Sequence, residues 1–340
     1  MSAIRRNDRQ RVTEITLVTG GAGFVGKHLV RKLRERGERV RSFDLAAPAH
    51  EDDLQGSILD AGDLARAFDG VTSVFHLAGN AQLWARDKTV FDRINHEGTE
   101  LVLHSAQAVG VRRFVHCSSL TTLVGRGVPI GVSSANENMR LEPDDMLGAY
   151  PRSKLLAERA VERAIENGLD AVIALPTEPL GPGDDALTPP TQMILDFING
   201  DTPAYIDCIL NFVPVESLAE GLVAARDEGR KGERYLLGGE NIPMKRLLAL
   251  LEQKTGKRMP KTKMPYSVAL LAGAVDTGLV AAVTGKPPKA PLTGVRLAGR
   301  QVSFSSEKAA NDLGWRASAV EPALEQTLAW FKQRGLLKSV

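Results

Sequence analysis

Two cysteines, Cys117 and Cys208, are all that the 340 residues contain, and they lie far apart without CxxC spacing. That excludes a disulfide scaffold and a cysteine-built zinc site, and it fits a reducing, cytoplasmic setting. Aromatic residues make up only 5% of the chain, too few for a base-stacking surface. Charge of one sign is also missing. The 43 Lys and Arg stand against 41 Asp and Glu, so no nucleic-acid partner is expected. No apolar run reaches the roughly 20 residues of a membrane-spanning helix. The nearest approach, residues 268–283, is interrupted by Asp276. It reads as a buried or amphipathic helix, with peripheral contact with a membrane surface as the alternative. Residues 1–12 are polar and basic without an apolar run behind them, so a short tail is expected there. His76, His96, His104 and His116 share no metal-ligand spacing with each other or with acids. No metal is expected, and His76 reads as a hydrogen-bonded core histidine.

What is present is an alternation of strand and helix patterns. Ile15–Thr19, Arg39–Phe43, Val74–Ala78, Arg113–Cys117 and Ala171–Leu175 are short apolar, β-branched runs. Helical patterns stand between them at Val25–Arg36, at Thr89–Val109 with Ile94, Leu101, Val102 and Ala108 on a stripe, and at Tyr150–Asn167. This order predicts an α/β fold, a Rossmann-type doubly wound parallel sheet covered on both faces. A smaller C-terminal α/β lobe for substrate follows. The expected division is residues 13–176 for the dinucleotide domain and 177–340 mainly for the substrate lobe, with segments around 205–235 returning to the sheet. Pro176–Pro190 reads as a loop, and Glu321–Arg334 as a closing amphipathic helix.

Gly20-x-x-Gly23-x-x-Gly26 follows a strand pattern and opens a helix, the context in which such glycines bind a dinucleotide. Gly20 permits a tight turn, Gly23 lets backbone approach a pyrophosphate, and Gly26 allows close packing. The helix N-terminus at Phe24 and Val25 offers free N–H groups to phosphate. Asp44 ends the second strand, where its carboxylate can accept ribose hydroxyls and repel a 2′-phosphate. NAD is therefore the expected cofactor rather than NADP, although Arg41 nearby leaves NADP open. Tyr150 and Lys154 stand four apart on one helix face, and an ammonium beside a phenol, together with the positive nicotinamide ring, is expected to lower its pKa and make it a usable base. Ser118 and Ser119 end a preceding strand.

With TGGAGFVG, FHLAG at 75–79, INHEGT at 94–99, CSS at 117–119 and YPRSK at 150–154, the chain resembles an extended short-chain dehydrogenase/reductase of the NAD-dependent epimerase/dehydratase superfamily. Within it, the chain is similar to the dihydroflavonol-reductase-like and 3β-hydroxysteroid-dehydrogenase-like branch. LWARD at 83–87, PAYID at 203–207 and RYLLGGEN at 234–241 resemble hopanoid-associated sugar epimerases. The resemblance implies that Tyr150 is the acid/base, that Lys154 lowers its pKa and holds the nicotinamide ribose, and that Ser119 bonds the substrate oxygen, with Ser118 or Thr121 as alternatives. It implies Ser57, Ile58 and Asp60 near adenine, with Ser57 standing where the family has aspartate. It further places Leu77, Ala78, Gly79, Ser118, Pro176 and Thr177 along the cofactor, and it implies a homodimer built on apolar faces of the Thr89–Val109 and Tyr150–Asn167 helices.

Three chemistries share such a scaffold. A dehydratase needs acids where this chain has Leu120 and Thr121. A nucleotide-sugar epimerase usually has arginine and asparagine where this chain has Leu175 and Glu178, and a carboxylate there would repel a diphosphate. The expected reaction is hydride transfer between nicotinamide and a secondary alcohol or ketone of a small, largely apolar substrate. A sugar epimerase and a non-catalytic NAD-binding regulator are the alternatives. Trp84, Thr121, Glu178, Tyr205, Cys208, Ile209 and Phe212 are candidate substrate contacts, with Cys208 expected to be exposed in a loop.

Overall fold

The computed structural model describes residues 14–131 and 134–338; the tail expected at 1–12 lies outside them. The strands β1 (Ile15–Thr19), β2 (Arg39–Asp44), β3 (Leu54–Gln55), β4 (Val71–His76), β5 (Arg113–Cys117), β6 (Ala171–Pro176) and, later in the chain, β10 (Arg234–Leu237) form one sheet. Its order is β10-β6-β5-β4-β1-β2-β3, and every pairing in it is parallel. Successive side chains of a strand point to opposite faces. Leu17, Val74 and Phe114 therefore enter one core, and their neighbours Val18, Phe75 and Val115 the other. With both faces covered, the strands read as continuous apolar runs.

Helices α1 (Phe24–Glu35) and α6 (Val215–Glu228) cover one face; α2 (Ala61–Phe68), α3 (Gly98–Ala108) and α4 (Ala149–Glu166) cover the other. The chain moves outward from β1 to β3, then returns to the opposite side of β1 as β4. The crevice at this reversal, beyond the carboxyl ends of β1 and β4, is where open α/β sheets bind ligands.

The small lobe contains β7 (Glu178–Leu180), β9 (Ile209–Pro214) and β11 (Glu240–Pro243) in one sheet, and β8 (Ala204–Tyr205) paired with β12 (Thr262–Lys263). Helices α5 (Pro189–Ile198), α7 (Met244–Thr255) and α11 (Val320–Gln333) pack on it around Phe197, Phe212, Leu247 and Phe331. Helices α8 (Tyr266–Val275), α9 (Leu292–Ala298) and α10 (Glu307–Leu313) complete the chain.

Four sequence expectations are corrected. The third strand pattern, expected at 74–78, runs Val71–His76. The expected loop 176–190 contains β7 and starts α5 at Pro189, where a missing N–H costs nothing. The helix expected at 89–109 is broken by a π-helical segment, Asp92–Glu97, ahead of α3. Its wider turns rotate the inward face, so Val102, Leu103 and Ala106 are buried while Leu101 and Ala108 are exposed. The return to the large lobe also extends past residue 235: Val302 and Phe304 enter one core, and Ala309, Leu313 and Trp315 the other.

Candidate active site

The glycine loop is clamped between two strand ends. Gly20 has φ +71°, and a Cβ there would lie 2.7 Å from the Ala78 backbone nitrogen. Its own N–H donates to the Phe43 carbonyl at 2.8 Å. At Gly26 a Cβ would run into the Gly20 carbonyl, so the first turn of α1 lies on the loop itself. Gly23 caps that helix in an extended conformation without a side-chain capping bond, and no acid stands in the first turn. A Cβ at Gly23 would meet only the Gly20 carbonyl. The N–H groups of Phe24 and Val25 have no partner within the helix, and the helix dipole favours an anion there. This cradle fits a pyrophosphate. Gly26→Ala is expected to weaken NAD binding at least about tenfold, or ~1.4 kcal/mol, because α1 must withdraw from the loop; titration calorimetry reads it.

Asp44 is held by two backbone donors. Ala22 N–H reaches one carboxylate oxygen at 3.0 Å and Ala46 N–H the other at 3.1 Å. A cavity of about 460 Å³ opens beside it, lined by Gly21, Ala22, Ser42 and the 46–49 segment. Arg41 is turned away, donating to the Ala67 and Asp69 carbonyls at 2.8 and 2.7 Å. The proposed adenine contacts have structural partners of their own. Asp60 accepts the Asp63 N–H at 2.8 Å as the cap of α2. Ser57 donates its N–H to Asp63 at 2.8 Å. Ile58 is buried, with a Cβ at Gly98 falling 2.7 Å from its Cδ1. Leu77 and Ala78 follow β4 and donate their N–H groups to the Thr19 carbonyl and hydroxyl.

Tyr150, Lys154, Ser118 and Ser119 meet at the carboxyl end of β5 and are all buried. Lys154 Nζ donates to the Cys117 carbonyl at 2.7 Å. Ser118 donates its hydroxyl to Glu158. Ser119 Oγ accepts from both the Thr121 N–H, at 3.2 Å, and the Thr121 hydroxyl, at 3.0 Å. A hydroxyl has two acceptor sites and one proton, so Ser119 keeps its proton for a third partner. That partner is the Tyr150 phenol, whose ionisation the bond favours. The expected fall in the Tyr150 pKa is not found in this arrangement. Burial pushes it up to about 12, against the opposing bond from Ser119. The Lys154 ammonium, its own pKa lowered by burial, is directed at a backbone carbonyl instead of the phenol.

A second layer has roles that the sequence does not show, because they depend on a contact between two helices. Asn95, in the π-helical segment, donates to the Ser153 hydroxyl at 2.9 Å and accepts the Asn80 N–H at 2.7 Å. Ser153 in turn donates to the Tyr150 carbonyl at 2.8 Å. The available signal was that Asn95 and Ser153 both stand in segments already singled out, INHEGT at 94–99 and YPRSK at 150–154. His76 is the expected core histidine. Thr99 Oγ1 donates to the Asn95 carbonyl at 2.6 Å, so toward His76 Nε2, at 2.9 Å, it accepts. His76 Nδ1 then accepts from the Thr19 hydroxyl at 2.7 Å. Burial, with Lys154 adding, lowers the His76 pKa to about 3 and keeps it neutral.

The candidate substrate contacts divide. Trp84 and Ile209 are half-buried. Tyr205, Cys208 and Phe212 belong to the small-lobe core, so the exposed Cys208 is corrected: it is buried, and burial raises its thiol to about 12. Glu178 changes the argument drawn from its charge. Burial raises its pKa from 4.5 to about 8, against a bond from the Asn211 backbone, and its Oε2 has no hydrogen-bond partner among the described residues. A neutral carboxyl does not repel a diphosphate, and it offers a proton to a ligand. Because the raised value favours the protonated folded state, the stability that goes with it is full below pH 4.5 and lost as pH rises through about 8. Glu178→Gln is expected to melt several degrees higher than the parent at pH 9 and within about a degree of it at pH 4.5, read by calorimetry.

Of the apolar stripe expected at a dimer contact, Val102 is turned inward while Leu101 and Ala108 are exposed. Outward, Arg163 pairs with Glu100 at 2.9 Å and Arg152 with Asp92 at 3.6 Å.

Sheet order, glycine cradle and Tyr–Lys pair define an extended short-chain dehydrogenase/reductase. The chain belongs to the NAD dependent epimerase/dehydratase family, whose model matches residues 16–238. A protein of Synechocystis sp. described as "Putative dihydroflavonol 4-reductase" is 34% identical over 333 residues, 95% of this chain and 96% of that protein. Sterol demethylase protein B of Methylococcus capsulatus is 30% identical over 334 residues, 95% and 99% of the two chains. The crystal structure of gox2253 superposes with a TM-score of 0.82 at 35% identity, over 96% of this chain and 100% of that one.

Proposed function

We propose that this protein is an NAD-linked reductase/dehydrogenase acting on a secondary alcohol or ketone of a largely apolar substrate. The observation that carries the reading is the Ser119 hydroxyl. Both its acceptor sites are filled by Thr121, and its proton, shared with the Tyr150 phenol, is free to pass to a substrate oxygen seated beside that phenol. The cofactor, when bound, would supply the hydride as NADH in reduction and accept it as NAD+ in oxidation. Ser119 donates to the substrate oxygen as negative charge develops there. Tyr150 Oη, held protonated by burial, gives that oxygen its proton in reduction and takes it back in oxidation. Lys154 braces the end of β5 through the Cys117 carbonyl, and Asn95 fixes the first turn of α4 through Ser153.

Asp44, fixed beside the glycine loop with Arg41 turned away, supports NAD over NADP. The sterol in one relative's name supports an apolar substrate over a sugar nucleotide. A reducing compartment goes with the two unpaired cysteines. A homodimer across α3 and α4 would meet over a mixed face, with the exposed Leu101 beside the Arg163–Glu100 pair, and light scattering at micromolar concentration decides it. The activity test mixes the protein with NADH or NADPH and a panel running from steroid-like ketones to nucleotide sugars. Oxidation of NADH, faster than of NADPH and fastest with apolar ketones, is expected. Interconversion of nucleotide-sugar epimers with tightly retained NAD would replace this reading with an epimerase, and binding without turnover would replace it with a regulator.

A further inference from the structure

Helix α8 continues through a π-helical segment, Asp276–Val280, and a last turn, Ala281–Thr284. It is built inside out. Its small residues Ala269, Gly273 and Ala281 face the protein. Its large apolar residues face solvent: Val268 is 50% exposed, Leu271 68%, Val275 47%, Leu279 62% and Val283 79%. Their spacing of three or four keeps them on one side. Among the described residues, seven of the twelve exposed large hydrophobics fall between 266 and 283. Folding alone leaves such residues scattered; a contiguous exposed patch marks an interaction surface.

The charge around this face indicates what covers it. Residues 257–300 carry eight Lys and Arg and a single acid, Asp276, more positive charge than the net +2 of the whole chain. Asp276 is half-buried and accepts the Ala290 N–H at 3.0 Å. Lys261 and Lys263 stand exposed before the helix, Lys263 paired with Asp207 at 2.6 Å, and Lys286 and Lys289 after it. A second copy of the chain would bring the same positive surface against this one. An anionic surface with an apolar interior complements it.

We propose that the apolar face of residues 266–284, with the lysines at both ends, docks the protein in the plane of an anionic phospholipid membrane. The large side chains enter the acyl boundary, and the lysines meet the headgroups. The position suits a lipid-borne substrate. Helix α9 underlies α8, with Val295 Cγ2 3.2 Å from where a Gly273 Cβ would stand. The same α9 touches Leu83 through Gly294 and the Gly148 turn through Thr293, two residues before Tyr150. The docking inference stands without the proposed reaction, since it uses neither cofactor nor catalytic residues.

Vesicle co-sedimentation of the full chain tests it, with phosphatidylcholine vesicles containing a third phosphatidylglycerol beside pure phosphatidylcholine. The expected result is pelleting with the anionic vesicles, weaker with neutral ones and reduced by high salt. Leu271→Glu/Leu279→Glu and, separately, Lys286→Glu/Lys289→Glu should each weaken partitioning at least about tenfold, with melting temperature and turnover of a water-soluble ketone unchanged. A protein that stays in solution with both vesicle types overturns the proposal. So does charge-variant pelleting equal to the parent, or vesicle-independent self-association that Leu271→Glu/Leu279→Glu abolishes, which would make the face an interface between copies.

Discussion

Tyr150→Phe is expected to lower kcat/KM by roughly 10²–10⁴-fold, the usual contribution of a positioned proton donor. The ring keeps its edge contact with Phe91, 6.2 Å between centroids, so the fold and NAD affinity should match the parent. What is lost is one phenolic proton, and it is lost in the transition state. The fall should therefore appear in kcat rather than in KM. Steady-state kinetics with the best ketone of the panel, together with circular dichroism, separates this from misfolding. Activity within about twofold of the parent would remove Tyr150 from the mechanism.

The largest effect on stability is expected at Arg234. Its guanidinium lies 2.8 Å from Glu158, with the two side chains 3% and 2% exposed. It also donates to the Glu137 and Met139 carbonyls, each at 2.9 Å. Glu158 in turn takes the Ser118 hydroxyl, so one buried network joins β10, α4 and the catalytic end of β5. Arg234→Met leaves the Glu158 carboxylate buried without its partner, at a cost of about 3–5 kcal/mol. Denaturant unfolding measures it. Arg234→Met/Glu158→Leu should recover much of that loss, since an apolar pair of similar volume often costs little. A cost below about 1 kcal/mol for the single change would show that the pair is not desolvated as the structure has it.

Activity in the Arg234→Met protein should fall less than in Tyr150→Phe at temperatures where both remain folded. Arg234 touches the site only through Glu158 and Ser118, and Tyr150 keeps its own partners, Ser119 and the Asn95–Ser153 bridge. The contrast separates a residue that holds the scaffold from one that handles the proton.

Much of this protein is determined locally, and such parts are legible in the sequence. The parallel sheet follows from short β-branched runs alternating with helical periods. The cradle follows from three glycines at fixed spacing, because backbone sterics at Gly20 and Gly26 depend on few neighbours. The Tyr150–Lys154 pair follows from the pitch of a helix. Only the tertiary structure decided the rest, because it depends on what distant segments bring together. The electrostatic environment of Tyr150 and Glu178 is set by burial, which spacing does not encode, so the phenol titrates higher than a Tyr–Lys pair suggests and the carboxyl loses the charge its letter implies. The π-helical segment re-phases the apolar stripe and turns Asn95 toward Ser153, a contact across 58 residues. Residues 268–283 read in the sequence as a buried or amphipathic helix, and which side chains face out is decided by α9 beneath it, which leaves room for Ala269, Gly273 and Ala281.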